Sequence, residues 1–127
     1  MTDLQAAVGR VQLSRLPEFI RRREKWFAMY LEHGLELLDA ESADSQPVRY
    51  RIVMRCRRPS RVIAAFASEG IRAIVPIEKS ELLDDPIKYP VALALTSETV
   101  SLPAHPGLSE EDVARIARVG RTAKEAS

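Results

Sequence analysis

The sequence is short of several things, and each shortage removes a class of function. It has one cysteine, Cys56, so no internal disulfide forms; a small core residue in a reducing compartment is the first reading, ahead of a reactive thiol. Its two histidines, His33 and His105, lie far apart and lack partners at metal-ligand spacing. Five glycines are scattered singly, which leaves no Gly-rich phosphate cradle, and no serine sits in a nucleophile elbow. Nineteen basic against eighteen acidic residues give a net charge of +1, which makes no case for a polyanionic or polycationic partner, nucleic acid included. No apolar run approaches the roughly eighteen residues of a spanning helix, and the N-terminus lacks the basic-then-apolar layout of a signal peptide. A cytoplasmic chain without a membrane partner is the expectation.

What is present is enough for one domain with a real core, since 127 residues exceed the marginal sizes and fall short of two ordinary domains. The most regular stretch runs from Val48 to Cys56. Its even positions are Val, Tyr, Ile, Met and Cys, while its odd positions are Arg49, Arg51, Val53 and Arg55. Successive strand side chains point to opposite faces, so the alternation predicts a ribbon with one buried and one wet, basic side. Pro59 or Ser60 then opens a helix carrying Val62, Ile63 and Phe66, with Gly70 suited to a left-handed end. Ile71 to Ile77 reads as a second strand, parallel to the first across a right-handed crossover. Thr99–Leu102 reads as a third, antiparallel strand between them.

Upstream, Thr2 and Gln5 have the spacing of a capping box, and Leu4, Ala7, Val8 and Val11 follow at helical spacing. Gly9 within that stripe invites close approach of another backbone. A capped helix at the second residue suggests a start where a longer chain was already passing through. Pro17 is expected to break this helix. A second then carries Phe19, Ile20, Phe27, Tyr30, Leu31, Leu35 and Leu38 inward and Arg21-Arg22-Arg23-Glu24-Lys25 outward. Trp26 reads as a core or interface anchor. Residues 40–47 form a polar loop, 78–89 an irregular stretch, and Pro90 opens a short helix. Ser109 with Asp112 begins the last helix, with Leu108 stapling onto Val113. Val113, Ile116 and Val119 face inward, and a tail from Arg121 is expected to fray. The sum is an α+β domain: a small, mostly antiparallel three-stranded sheet with helices on one face, behind a long broken N-terminal helix. Residues 1–38 are the helical lead-in, 48–120 the α+β part and 121–127 the tail.

Residue chemistry offers no catalytic, cofactor or metal site. Glu110, Glu111 and Asp112 suit the first turn of a helix and need no other explanation. Arg49, Arg51 and Arg55 are the best binding candidates. An exposed or interface sheet face comes ahead of a dedicated anion site there.

Three ordered blocks resemble one family. Met1-Thr2-Asp3-Leu4-Gln5-Ala6-Ala7-Val8-Gly9, with Gln12-Leu13, Leu16 and Glu18-Phe19-Ile20-Arg21-Arg22-Arg23 after it, is similar to the segment that opens the C-terminal part of DegT/DnrJ/EryC1/StrS aminotransferases. Val62 to Phe66 through Gly70-Ile71-Arg72-Ala73 resembles the family's helix-then-glycine passage. Val100 to Val113 resembles its closing signature almost letter for letter. The resemblance implies the small C-terminal domain of a fold-type-I, pyridoxal-phosphate-dependent enzyme that aminates keto-sugars, usually nucleotide-linked, and works as a dimer. It further implies that the Schiff-base lysine lies in a large domain upstream. Lys25, Lys79, Lys88 and Lys124 match none of the family's catalytic positions, so this chain alone is expected to bind no cofactor and to be inactive, with the missing large domain as its partner. One departure is Ile77 to Leu83, which lacks the histidine many members carry near the substrate. The alternative is a stand-alone, non-enzymatic module for dimerisation or partner binding. In either case the exposed stripe of the first helix predicts a homo-oligomer.

Overall fold

The computed structural model describes residues 2–39, 44 and 47–125. Helix α1 (Asp3–Glu32) begins as its sequence dictates. The Gln5 amide donates to the Thr2 hydroxyl at 3.3 Å, and the Thr2 amide donates to the Gln5 side-chain oxygen at 3.0 Å. Contrary to expectation, α1 is continuous through Pro17. A proline removes one helical hydrogen bond and crowds the carbonyl four residues back, that of Leu13. Residues 7–18 are all exposed, so water can meet that carbonyl's need. The helix ends earlier than its apolar periodicity suggests, with His33 as its C-cap and Gly34 left-handed at φ +82°. Leu35 nevertheless reaches the core, and the chain beyond it runs beside the sheet, the Leu38 amide donating to the Val53 carbonyl at 2.8 Å.

Strand β1 (Ile52–Arg55) pairs antiparallel with β2 (Thr99–Leu102), with Ile52 opposite Leu102 and Met54 opposite Val100. The strand expected from Val48 therefore starts four residues late. Arg49 has φ +50°, which interrupts extended backbone, and Val48 and Tyr50 are exposed where alternation predicted burial. The alternation holds from Ile52 onward, where Ile52, Met54 and Cys56 are buried. The expected second strand shrinks to one bridge, Ile74 to Ser101, on the far edge of β2. Pro76 cannot donate a ladder hydrogen bond, and Ile77 turns out to solvent, so the pairing ends there. The order is as expected all the same, with β2 between β1 and the Ile74 segment. A second bridge, Leu37 to Met54, flanks β1 on its other edge.

Helix α2 (Pro59–Ser68) opens with proline at its first position and closes before Gly70, left-handed at φ +70°. Short 3₁₀ turns at Lys79–Glu81 and Pro86–Lys88 lead to α3 (Pro90–Glu98), again opened by proline. Helix α4 (Glu110–Glu125) is capped by the Ser109–Asp112 pair. It continues through residues expected to fray, because Ala123 is buried and Lys124 donates to Glu36 at 2.8 Å. The core lies between the sheet and α1, α2 and α4. Its fully buried side chains are Tyr30, Ile52, Met54, Val62, Phe66, Val100 and Val113. Helices α2 and α4 meet where Gly120 leaves room, since a Cβ there would stand 3.2 Å from the Phe66 ring.

Truncating a fully buried aromatic costs about 3–5 kcal/mol. Phe66→Ala is therefore expected to lower unfolding free energy by that amount in denaturant titrations. Leu4→Ala, at a position 75 % exposed, should stay within about 0.5 kcal/mol of the parent chain.

Candidate functional site: a braced loop and an open basic sheet face

One face of the second half of α1 grips the loop after β2. The Tyr30 hydroxyl donates to the Pro103 carbonyl at 2.9 Å, Arg22 donates to the Pro106 carbonyl, and Lys25 pairs with Glu110 at the start of α4. Tyr30 is fully buried; burial, helped by the Asp112 charge, pushes its phenol well above the ordinary range. The phenol is therefore a permanent donor here. Its neighbour Trp26 is 4 % exposed, and its indole N–H finds no partner among the described residues.

The opposite face of the sheet is open only along β1: Val53 is half-buried and Arg55 exposed, while their partners on β2, Ser101 and Thr99, are buried. Val53 and Arg55 of β1, with Arg49, Tyr50 and Arg51 before it and Val91 and Leu95 of α3 beyond, line a cleft of about 630 Å³. Helix α3 thus stands beside the face that was expected to be bare of helices. The three arginines share this cleft and differ in state. Arg49 is ion-paired with Asp39, and its guanidinium lies 3.7 Å from the centre of the Phe27 ring. Arg51 lies 5.8 Å from the Tyr50 ring centre, and Arg23 of α1 lies 5.9 Å from the same ring. Arg51 and Arg55 make no ion pair among the described residues. The reading of residues alone missed Tyr50, Val91 and Leu95 as parts of this surface; only the exposed aromatic between two arginines was there to signal it.

The remaining candidates have structural partners. His33 is half-buried and its Nδ1 sits 2.8 Å from the Met29 carbonyl. His105 is exposed, and its carbonyl accepts from the Leu108 amide to close the turn. Cys56 is buried, which raises its thiol above the ordinary range against the opposing pull of Lys124. Three lysines are surface ion-pair members: Lys25 with Glu110, Lys88 with Asp84, Lys124 with Glu36. Lys79 is exposed in a 3₁₀ turn.

The described residues thus hold a helix supported along half its length, a small antiparallel sheet and no enclosed reaction centre. Residues 1–119 match the DegT/DnrJ/EryC1/StrS aminotransferase family, and the chain belongs to it. It is 28 % identical over 125 residues to the dTDP-3-amino-3,6-dideoxy-alpha-D-galactopyranose transaminase of Aneurinibacillus thermoaerophilus, covering 91 % of this chain and 34 % of that one. It is 30 % identical over 130 residues to the UDP-N-acetyl-3-dehydro-alpha-D-glucosamine 3-aminotransferase of Acidithiobacillus ferrooxidans, covering 95 % and 35 %. Among solved structures, an aminotransferase from Streptococcus pneumoniae, known in apo, PLP and PMP forms, superposes with a TM-score of 0.86 in its PMP form. That likeness is at 27 % identity and covers 99 % of this chain and 36 % of the other. The chain thus spans about a third of the length of the relatives it matches.

The cap of α4 yields a pH prediction. The Ser109 hydroxyl and then its amide, both donating to Asp112, hold that carboxyl below the usual carboxylate range. Its folded pKa being depressed, the stability it adds is present above the unfolded value of about 3.9 and lost as pH falls through the folded one. Asp112→Asn is expected to flatten the acid limb of stability measured by urea unfolding between pH 5 and pH 2 (roughly that window). Ser109→Ala should move the Asp112 titration upward by NMR.

Proposed function

We propose that this chain is the C-terminal part of a pyridoxal-phosphate-dependent sugar aminotransferase, closing the active site and strengthening the dimer, and inactive by itself. The observation that carries this reading is the match of residues 1–119 to the family together with coverage of about a third of each relative. Pyridoxal phosphate supplies an electron sink for moving an amino group, and it needs a lysine for its covalent anchor and a pocket for its phosphate. The described residues of this chain do not fit that group. Lys25, Lys88 and Lys124 are tied to carboxylates at the surface, Lys79 stands in solvent, and none of the four lines a cleft with a phosphate cradle. No step of the reaction is routed through these residues. The relatives' nucleotide-linked sugars suggest the same substrate class for the whole enzyme. The work done here is bracing: α1 carries the chain in, and its grip on the Pro103–Glu110 loop fixes the sheet relative to it.

The test is transfer of an amino group from glutamate to a nucleotide-linked keto-sugar, comparing this chain with the product of any longer coding span that includes it. Activity only in a longer product supports the reading. Turnover by the 127 residues alone overturns it.

The first half of α1 supports a second element of the proposal. Leu4, Val8 and Val11 are 75 %, 53 % and 55 % exposed along one side of the helix. Without a large domain beside it, this stripe pairs with a second copy. Light scattering is expected to show a concentration-dependent dimer that Val8→Glu with Val11→Glu abolishes. A strictly monomeric parent chain would count against it.

A further inference from the structure

We propose that the cleft behind the braced loop binds a small organic carboxylate with an apolar body, Arg72 facing the carboxylate and Ile71, Leu108 and Ile116 receiving the body. The cleft lies between the end of α2, the loop after β2 and the first two turns of α4, and it holds about 430 Å³. Small-ligand sites run to roughly 300–1,000 Å³. Its floor is apolar: Ile71 and Ile116 are 9 % and 4 % exposed, and Pro103 and Leu108 are half-buried. Its rim is charged, with Arg72, His105, Asp112 and Arg115 all exposed. The mouth is open at Gly70, where a Cβ would meet nothing within 4 Å.

The charges on that rim set the sign and the number of charges of the ligand. Asp112 is the one carboxylate among the lining residues, and its Oδ2 accepts from both the amide and the hydroxyl of Ser109. Arg115 stands within electrostatic reach of Asp112 and donates its Nη2 to the Glu69 carbonyl, 3.5 Å from the Glu69 carboxylate. Those acids and Arg115 therefore balance one another. Arg72 has no hydrogen bond or ion pair among the described residues, which leaves one uncompensated guanidinium beside an apolar floor. One planar donor fork matches one carboxylate; a phosphate monoester would bring a second negative charge with no partner. The exposed His105 ring offers a further N–H at the same rim. The wall of the cleft is also formed before any ligand arrives. The Leu108 amide donates to the His105 carbonyl to close the turn, while Tyr30 and Arg22 of α1 hold the Pro103 and Pro106 carbonyls from behind. A pre-formed wall cuts the ordering cost of binding. All of these residues belong to this chain, so the site does not depend on the aminotransferase reading.

The experiment follows amide NMR shifts of this chain during titration with sodium hexanoate at constant ionic strength, with acetate, 1-hexanol and glutamate in parallel. It is repeated on Arg72→Ala and on Arg118→Ala, an exposed α4 residue outside the cleft lining. Saturable shifts at Ile71, Arg72, Leu108 and Ile116 are expected with hexanoate. Acetate, which lacks the apolar body, and 1-hexanol, which lacks the charge, should each bind at least about tenfold more weakly. Glutamate, with a second charge and little apolar surface, should bind no better than acetate. Arg72→Ala should lower hexanoate affinity about tenfold, and Arg118→Ala should leave it unchanged. Arg72 is exposed, so its variant should keep the parent spectrum away from the cleft. No saturable shift at these amides, full affinity in Arg72→Ala, or an equal loss in Arg118→Ala overturns the site. Binding of 1-hexanol as tightly as hexanoate overturns the carboxylate, and acetate or glutamate doing so overturns the apolar body. Amino transfer by a longer product is a separate measurement, so either reading can fail without the other.

Discussion

The structure depends on one buried contact, the Tyr30 ring in the core with its hydroxyl on the Pro103 carbonyl. A phenol removed from water must find an acceptor, and a buried carbonyl must find a donor; here each meets the other's need. The bond joins the last turn of α1 to the end of β2, residues far apart in the chain. Around it, Trp26 and Phe27 bury their rings, while Arg22 and Lys25 secure the loop that leads into α4. Thus the second half of a 30-residue helix is an integral part of the domain. Among the described residues its first half makes no such contacts, and local helix energetics with the Thr2 cap give it its form.

That division explains why so small a sheet suffices. Two strands with single bridges on either side would be marginal in isolation. Here one face of the pair is covered by three helices, and burial of Ile52, Met54, Val100 and Leu102 supplies what the few ladder bonds cannot. The second face is covered along β2, where Thr99 and Ser101 are buried, and stays exposed at Arg55 of β1 and Arg51 before it. Its arginines can stay solvated there, where on the core side each would carry a heavy desolvation cost.

Features set by neighbours in sequence were legible from residues alone. The Thr2–Gln5 and Ser109–Asp112 boxes, the prolines opening α2 and α3, and Gly70 at a left-handed end depend on contacts three or four residues long. The order of the sheet was legible too, because crossover handedness leaves few choices. What escaped reading is governed from a distance. The late start of β1 falls at Arg49, left-handed in backbone and with its guanidinium against Phe27 and Asp39, partners the local alternation does not see. Pro17 looked like a break because its cost is local, whereas the stretch around it is free to hydrate. The fraying predicted for the tail missed the reach of Lys124 to Glu36. For the binding face, alternation identified Arg51 and Arg55, but the contribution of α3 required the fold, since Val91 lies some forty residues on in the sequence.

The contact between Gly120 and Phe66 couples the choice of residue at two distant positions. With the ring 3.2 Å from where a Cβ would sit, too close by a few tenths of an ångström, α2 and α4 are spaced by an aromatic edge against bare backbone. Enlarging one partner demands shrinking the other, so the pair should drift together among related chains: a small residue at 120 with a ring at 66, or a branched aliphatic at 66 once a side chain appears at 120. The distance between those helices is in that sense a property of the pair, set by the summed volume across the seam and by neither residue alone.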